Sequence, residues 1–462
     1  MTRHVPALVV GGGISGLVCA YVLRKSGIDA QLVEASSRPG GVIHSVTRDG
    51  FLLELGPQSF SSTPALRQLC ADLGISNDLL QAPPRAPRYV LIDGKLRPVP
   101  LSPPAFFVSS LIDSSTKWAL VRDILGKTIP PDADESVAAF TRRKFSAQFL
   151  DRLVGPFVSG IYAGDPERLS LRSSFPQLYE AEKAAGSIVR GMLRLAKSKK
   201  GPRERPTLHS FREGNETLVR ALANKLGAAL LIETSVSRIS RQNDGSFDVH
   251  LESKHGDESV SAQSLVLATP TDVTGKLLSG LDSSFETALR SIEYAAVAVV
   301  SLGYRKKDIG HSLNGFGFLV PRSAGLRVLG SVWNSSLFPG RAPEGHALLT
   351  SFVGGITYRA AAKLKPEELA SLVHREISAL LSMKNEPVFS NVTIWPRALP
   401  QYNLGHGDRL ATVAKASSRF PSLWLTGNYL RGPAIGSCVD QALAVAEEVR
   451  EKLAPRSVGS IS

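Results

Sequence analysis

A glycine-rich turn between an apolar run and an amphipathic segment, near the amino end, constrains this chain more than any other feature. The apolar run, Val5–Val10, has the length of a strand, and helical periodicity over residues 14–26 follows it. The turn between them has the spacing Gly-x-Gly-x-x-Gly, with Gly11, Gly13 and Gly16. This order of strand, glycine turn and helix predicts a βαβ unit whose backbone amides and helix amino terminus face a phosphate.

The residues after the helix favour a dinucleotide ligand over an ordinary glycine turn. A second short strand over Ala30–Val33 ends at Glu34, about 20 residues past the turn, where an acid binds ribose hydroxyls. Further glycine corners follow at Gly40-Gly41 and at Gly56. A ligand that lies extended across several such corners is FAD more readily than NAD.

The carboxyl-terminal segment repeats the pattern of strand, glycine turn and helix. Leu423–Tyr429 is an apolar strand, residues 432–439 form a glycine-containing turn, and an amphipathic helix is predicted from Asp440 to Leu453. The helix amino terminus predicts a second anion-binding and carbonyl-polarising site. Because the two units lie far apart in the chain, we expect a cofactor domain built from discontinuous segments; a simple terminal αβ unit is the alternative.

Composition limits the class of protein. A length of 462 residues suggests about two or three domains, and 43% hydrophobic residues exclude general disorder. Three cysteines exclude a disulfide framework or a Cys-rich zinc module, and no metal site is predicted. The net charge of +13 favours an acidic ligand or surface, but no aromatic platform for nucleic acid accompanies it. We expect neither a transmembrane helix nor a targeting leader, and a cytoplasmic location.

Four stretches of the middle of the chain resemble a known family. They are Phe157–Pro166, Leu208–Gly214, Gly315–Pro321 and Leu399–His406. With the glycine corners, they make the chain similar to the flavoprotein family of amine oxidases, phytoene desaturases and protoporphyrinogen oxidases, and most similar to its porphyrinogen oxidases. The resemblance runs from Val5 to about Leu453. It implies an α/β protein with a Rossmann-like FAD-binding domain, a β-rich (α+β) substrate domain and a helical membrane-associating insert.

The resemblance also implies the boundaries of these domains. The FAD-binding domain would comprise residues 1–80, 226–272 and 403–462. The substrate domain would comprise residues 81–103, 195–225 and 273–402, and the insert residues 104–194. Amphipathic segments recur in and beside the insert at Trp118–Leu125, Val137–Phe149 and Ile188–Leu195.

Lipid binding is predicted for this insert from its charge and its apolar start. Arg190, Arg194 and Lys197 share one helix face by their spacing, and a basic loop over residues 197–205 follows. With the apolar stretch Ala105–Val108, they predict peripheral binding to an anionic membrane surface, on the inner face of the cell membrane. A solvated charge run on an ordinary helical insert is the alternative.

Residue roles are carried over from the resemblance. Arg88 would grip a substrate propionate, since its planar fork suits a carboxylate; without the resemblance it would be a surface arginine in a proline-rich loop. The backbone carbonyl of Gly164 would face the macrocycle as the catalytic position. The apolar residues against the macrocycle, whose alternative is plain core packing, would be Phe316, Leu319, Val332 and Phe352. The positions at FAD would be Gly11, Gly12, Gly13, Ile14, Ser15, Gly16, Glu34, Ala35, Arg38, Gly41, Val42, Gly56, Pro57, Gln58, Ser59, Val236, Trp395, Gly427, Ile435, Gly436 and Ser437.

The implied reaction is the oxygen-dependent oxidation of protoporphyrinogen IX, with six electrons and six protons removed in three rounds on FAD. Coproporphyrinogen III is the rival substrate, because its four propionates suit a more cationic site. A flavin amine oxidase would need an aromatic cage, for which Tyr402 is available. A non-catalytic FAD-containing porphyrin carrier is a further alternative. The expected partners are the porphyrinogen, O2 and the anionic membrane, with a homodimer left open and no nucleic acid.

Overall fold

The computed structural model describes residues 3–100, 102–198 and 207–454. The strands of these residues are β1 (Arg3–Val10), β2 (Ala30–Val33), β3 (Ser45–Arg48), β4 (Phe51–Glu54), β5 (Phe60–Ser61), β6 (Leu79–Gln81), β7 (Arg88–Ile92), β8 (Lys95–Pro98), β9 (Leu208–Phe211), β10 (Leu230–Leu231), β11 (Thr234–Arg241), β12 (Phe247–Ser253), β13 (Glu258–Leu267), β14 (Tyr294–Arg305), β15 (Gly317–Leu319), β16 (Val328–Val332), β17 (His346–Gly354), β18 (Phe389–Pro400) and β19 (Leu423–Leu425). The helices are α1 (Ile14–Lys25), α2 (Pro64–Asp72), α3 (Pro103–Val108), α4 (Ser114–Leu125), α5 (Val137–Lys144), α6 (Ala147–Phe149), α7 (Gly155–Tyr162), α8 (Leu171–Ser174), α9 (Pro176–Ala185), α10 (Ile188–Ser198), α11 (Glu216–Leu226), α12 (Thr271–Leu278), α13 (Ser283–Arg290), α14 (Asn334–Leu337), α15 (Pro366–Leu381), α16 (His406–Ser417) and α17 (Ile435–Leu453).

The first sheet is assembled from distant parts of the chain. Its strand order is β10-β2-β1-β13-β12-β11, and β19 pairs with the end of β13. The central strands β2, β1 and β13 run parallel, whereas β12 and β11 continue antiparallel. Helices α1 and α17 share one hydrophobic core with the central strands, through Leu17 and Val439 among others. Helix α1 follows β1 and helix α17 follows β19, and both strands pair in parallel with β13. Both helices therefore begin at the carboxyl edge of the parallel strands, where open α/β sheets bind ligands.

The second sheet has two faces with different environments. Its order is β18-β14-β17-β16-β15-β7-β8, antiparallel except between β15 and β7. One face packs on α15 through a buried cluster that includes Phe318, Val353 and Val373. Successive side chains of a strand alternate between faces, so the neighbours of these residues, Leu319 and Phe352, lie on the opposite face. That opposite face meets α7, because a Cβ added to Gly160 would lie 2.8 Å from Leu319 Cδ2.

A buried cluster of charges holds the helices between residues 103 and 198 together. Lys144 Nζ lies 2.6 Å from Asp123 Oδ1 and 3.2 Å from Glu182 Oε1, and the three side chains are at most 3% exposed. Arg143 adds paired hydrogen bonds to Glu135 and Glu182. Burial alone would raise the pKa of Glu182, but the bonds from Arg143 and Thr128 outweigh it and lower the pKa to about 2. Removing Lys144 would leave the buried Asp123 carboxylate without this cation.

Some predicted boundaries are wrong. Helix α17 begins at Ile435 and not at Asp440, because Gly436 lets its first turn approach β5; a Cβ there would lie 2.8 Å from the Ser61 carbonyl oxygen. The apolar strand predicted over Leu423–Tyr429 ends at Leu425. The amphipathic segment predicted over Val137–Phe149 is divided into α5 and α6, since the chain turns at Phe145 and the Ser146 hydroxyl caps α6.

Two further findings bear on the insert and on Arg88. Arg88 is the first residue of β7 and not part of a loop. Among the residues that the structure describes, no helix is long and apolar enough to cross a membrane.

Candidate cofactor and substrate site

The amino-terminal glycine turn leaves a slot beside its second glycine. A Cβ added to Gly16 would lie 1.9 Å from the Gly11 carbonyl oxygen, so α1 can pack on β1 only without a side chain there. A Cβ added to Gly13 would meet no protein atom within 4 Å, and one added to Gly41 would lie 3.7 Å from Gly13 Cα. Gly13 and Gly41 therefore border open space into which a phosphate chain can fit.

Two helix amino termini converge on this slot without side-chain caps. The N-cap residues Gly13 of α1 and Ala434 of α17 make no side-chain hydrogen bond to their helices, and neither first turn contains an acid. The side chains of Ser15 and Cys438 interact, so the two termini are neighbours. The free amide donors and the positive ends of both helix dipoles suit the pyrophosphate and the flavin carbonyls of FAD.

Glu34 and Arg38 order the corner that follows β2. Glu34 Oε2 accepts a hydrogen bond from the Gly12 amide at 2.6 Å, and its Oε1 accepts one from the Ser36 amide at 2.8 Å. Arg38 Nη2 donates to the Gly41 carbonyl at 2.6 Å. Glu34 Oε1 also accepts a hydrogen bond from the Ser36 hydroxyl at 2.5 Å, whereas Oε2 keeps a free lone pair, so the residue fits the predicted ribose contact.

Several of the remaining FAD positions lie in segments that are linked to this corner. A Cβ on Gly56 would lie 2.0 Å from the Val42 carbonyl oxygen, so these two segments are in direct contact. Trp395 Nε1 donates to the Leu55 carbonyl at 2.6 Å and thereby ties the second sheet to the start of loop 56–59. Val236 lies in β11, whose first amide, that of Thr234, donates to the Glu34 carbonyl at 2.9 Å. The structure thus brings the separate glycine corners together, and the residues present fit FAD.

The predicted substrate residues share one face of the second sheet. The register pairs Gly317 with Arg88 and with Val332, and Gly330 with Leu319 and with Phe352. Paired residues point to the same face, and so do residues two apart in a strand. The side chains of Leu319, Val332 and Phe352 are half-buried, which is what an apolar wall open on one side requires. Arg88 is exposed at the edge of this face, with its guanidinium 5.6 Å from the ring centre of Phe316.

Gly164 lies just after α7, where side chains crowd it. A Cβ there would lie 2.6 Å from Gln401 Oε1 and 2.8 Å from Leu169 Cδ1, so this position excludes a side chain. The Gly164 carbonyl accepts a hydrogen bond from Arg322 Nη2 at 3.2 Å. One lone pair of the oxygen predicted to face the macrocycle is therefore engaged by an arginine, and its catalytic role stays a prediction.

Tyr402 is not available for an aromatic cage. Its ring is 1% exposed and stacks on His406 with 4.4 Å between ring centres. Its hydroxyl donates to the Asn428 carbonyl and accepts from the Gly432 amide at 2.7 Å. Burial lowers the pKa of His406 to about 4, so its ring is neutral at physiological pH. The pair fixes the backbone before α17 and leaves no tyrosine face for an amine at this position.

A buried polar network beside loop 56–59 was not predicted from the sequence. It contains Glu54, Asn215, Asn334 and Arg341, each at most 3% exposed. For Glu54 a signal was present, namely an acid inside the apolar run Phe51–Leu55, which is buried throughout. For Arg341 the sequence contains no such signal, because its partners lie in distant segments. Across residues 3–100, 102–198 and 207–454, no group of three metal-ligating side chains comes together.

Known proteins are similar to this chain in sequence and in fold. A sequence model of the family described as flavin containing amine oxidoreductase matches residues 14–450. Protoporphyrinogen oxidase 1 of Arabidopsis thaliana is 37% identical over 96% of this chain and 87% of its own length. Coproporphyrinogen III oxidase of Bacillus subtilis is 29% identical over 96% of this chain and 97% of its own. A crystal structure from an Exiguobacterium species, provisionally named a protoporphyrinogen oxidase, superposes with a TM-score of 0.80 and 25% identity, covering 98% of this chain and 99% of that one.

Proposed function

Because the chain belongs to the family of flavin-containing amine oxidoreductases and is an FAD-dependent oxidoreductase, we propose that its substrate is a porphyrinogen, protoporphyrinogen IX. The observation that carries this proposal is the near-full-length similarity to relatives named for porphyrinogen oxidation. Within the fold, the wall formed by Leu319, Val332 and Phe352 supports it. From β17 to β7 the wall spans three strand spacings, about 14 Å, which suits a flat macrocycle.

The protein's part in the reaction is to bind, orient and shield the ring. When bound, FAD supplies the acceptor for a hydride in each of three rounds, with O2 as the final oxidant, reduced to hydrogen peroxide. Each round removes two electrons and two protons from the macrocycle. Arginine side chains are not deprotonated in proteins, so the role of Arg88 is to hold a propionate and not to accept a proton. The half-buried apolar wall excludes water from the ring face.

The assignment of site residues and domains is part of this proposal. The FAD positions predicted from the sequence would surround the slot between Gly13 and Gly41, and Gly164 would present its carbonyl to the ring. The first sheet with α1 and α17 would form the FAD-binding domain, the second sheet the substrate domain, and residues 104–194 the helical insert. This division is supported by the separate hydrophobic cores of the two sheets. A homodimer stays a prediction.

A direct assay tests the proposal. The purified protein is examined for a flavin spectrum, and porphyrin fluorescence and O2 consumption are followed with protoporphyrinogen IX and coproporphyrinogen III. We expect faster turnover, by kcat/KM, of protoporphyrinogen IX. Faster turnover of coproporphyrinogen III would assign the rival substrate, porphyrin binding without O2 consumption would indicate a carrier, and oxidation of amines alone would reject both porphyrinogens.

Peripheral attachment to an anionic membrane is a second part of the proposal. Several of the exposed large apolar side chains lie on helices of the insert, among them Trp118 at 68% and Leu125 at 78% exposure on α4, and Leu193 at 58% on α10. Fewer guanidinium donors are available to lipid on the basic face than the spacing predicts. Arg190 donates to the carbonyls of Ile124, Gly126 and Ala185, and Arg194 donates to that of Ala184. Lys197 is exposed, and the basic loop lies, from residue 199 on, outside the described residues.

Co-sedimentation with vesicles tests the attachment. The protein should bind anionic vesicles at low salt and bind neutral vesicles less, because both apolar insertion and charge contribute. A Trp118→Ser variant should bind less. Val388→Ser, which removes an exposed apolar side chain outside the insert, is the matched control and should bind normally. Equal binding to both vesicle types, or equal loss in both variants, would reject the attachment.

A further inference from the structure

The carboxylate of Glu54 is buried at the junction of three chain segments. Glu54 is the last residue of β4, whose residues are all buried, and Glu54 itself is 2% exposed. Its Oε2 accepts a hydrogen bond from the Ser45 hydroxyl at 2.6 Å, and its Oε1 accepts one from the Asn215 amide at 2.8 Å. Arg341 Nη2 lies 3.8 Å from Oε1, an ion pair without a direct hydrogen bond.

This junction holds the first part of loop 56–59 on one side. The Gln58 side chain donates to the carbonyls of Glu54 and Gly56, both at 2.9 Å. The side chain of Asn215, whose amide binds the Glu54 carboxylate, donates to the Pro57 carbonyl at 2.8 Å. The Glu54 carboxylate therefore reaches the loop through Asn215, and the Glu54 backbone carbonyl reaches it through Gln58.

On the other side, the junction reaches the apolar wall. Arg341 is 1% exposed and donates to the Ser210 hydroxyl at 2.6 Å and to the Phe211 carbonyl at 3.0 Å. Its guanidinium lies 5.5 Å from the ring centre of Phe338. Phe338 packs in one cluster with Phe316 and Val332, which belong to the proposed substrate site.

A second connection runs parallel to the first. Asn334 Nδ2 donates to Gln58 Oε1 at 2.7 Å, and Asn334 begins α14, two residues after Val332 at the end of β16. The strand that carries one residue of the wall is thus linked to the loop by a single buried hydrogen bond. Two independent routes therefore join the loop to the same part of the substrate domain.

The ion pair costs free energy in this position. Burial raises the pKa of Glu54 to about 7 against the opposing effects of the Ser45 bond and of Arg341, and burial lowers the pKa of Arg341. Arg341 Nη1 is buried and has no hydrogen-bond partner. Glu216, whose carboxylate accepts from the Ser45 amide at 3.0 Å, adds a second negative charge nearby. An apolar pair of similar volume would often be at least as stable, so stability alone does not explain these charges.

We propose that Glu54 and Arg341 are positioning residues that fix loop 56–59 against Phe338 and the Val332 side of the apolar wall and so set the distance between flavin and substrate. This inference rests on the proposed function for the identity of the two bound molecules. Neither residue is assigned contact with substrate or with the reacting atoms. They act through the loop on one side and through the wall on the other.

The test compares Glu54→Gln with a variant that removes a buried charge of the insert, at a residue that has no link to the site. Glu54→Gln keeps the shape and one acceptor oxygen but removes the charge. Glu182→Gln is the matched control, because Glu182 is also a buried, ion-paired carboxylate. Both variants are measured as FAD-loaded proteins, well below their melting temperatures, for flavin content, for the visible circular dichroism of the flavin, and for kcat and KM with protoporphyrinogen IX.

We expect Glu54→Gln to keep its FAD but to change the flavin dichroism and to lower kcat roughly 10- to 100-fold, the effect of a displacement of order 1 Å. KM should change by less than about threefold, since Arg88 still holds the substrate. Glu182→Gln should lower only the melting temperature. A Glu54→Gln enzyme with normal dichroism and normal kcat would overturn the proposal, and so would an identical response of the control.

Two additions keep the test decisive. If Glu54→Gln does not fold, Ser45→Ala and the neutral double variant Glu54→Gln/Arg341→Met replace it. We expect the same change of flavin dichroism in these variants. An unchanged dichroism in both would refute the proposal. The dichroism requires no substrate. If the wild-type protein binds FAD but oxidises no porphyrinogen, the proposed function fails, while a changed flavin signal in the variant still supports the positioning role.

Discussion

Gly13 and Gly16 stand three residues apart in one motif, yet the structure predicts different consequences for a side chain at each. A valine at Gly13 would project into the slot, where it meets no protein atom within 4 Å, so the apoprotein should tolerate it. Gly13 is the N-cap of α1, where replacing glycine by an apolar residue costs about 1 kcal/mol or less. An alanine at Gly16 would place Cβ 1.9 Å from the Gly11 carbonyl oxygen, which the core cannot accept without a backbone shift.

The magnitudes separate the two variants in a thermal unfolding assay with and without FAD. Overpacking at Gly16 should lower the free energy of unfolding by about 1–3 kcal/mol or more, both with and without FAD. FAD at about 100 times its Kd adds about 2.7 kcal/mol to the wild-type protein, and Gly13→Val should lose this increment because the side chain fills the space of the pyrophosphate. A Gly13→Val protein that retains the wild-type amount of FAD would refute the placement of the cofactor in this slot.

Further variants test the substrate anchor, the ribose contact and the buried acid. Arg88→Ala should raise KM about 10- to 100-fold with normal FAD content, Arg88→Lys should recover only part of it, and Arg85→Ala, a nearby exposed arginine, should change nothing. Glu34→Ala should weaken FAD binding, measured by titration, by about 1.5–3 kcal/mol. Since the folded pKa of Glu54 is raised from 4.5 to about 7, the folded state binds the proton more tightly than the unfolded state. Its contribution to the free energy of unfolding should therefore fall by about 3 kcal/mol as pH rises from 4.5 to 7, and denaturant unfolding of Glu54→Gln should lack this loss.

Local features of the fold were predictable because their causes are local. The strand, glycine turn and helix around Gly11–Gly16 follow from hydrophobic periodicity and from glycine sterics within a short segment. The start of α17 was predicted five residues too late, because a glycine in a first turn is read as a turn residue. Its actual role depends on Ser61, which lies far away in the chain and against which Gly436 packs. Arg190 is similar: its spacing places it on a basic face, but the helix carbonyls that it binds are visible only in the folded insert.

The candidate site divides in the same way. No strand by itself indicates that Arg88, Leu319 and Phe352 share a face. That fact depends on the order β17-β16-β15-β7 and on the register of three pairings. Family resemblance therefore supplied these residues, and pairing geometry supplies the physical reason that they can act on one ligand. Neither the sequence pattern nor the family resemblance indicated that Glu54 and Arg341 pair. Their pairing exists only where β4, β9 and the segment after α14 meet. Burying either charge without its partner costs free energy. This ion pair therefore links the cofactor loop to the wall only after both parts of the chain have folded.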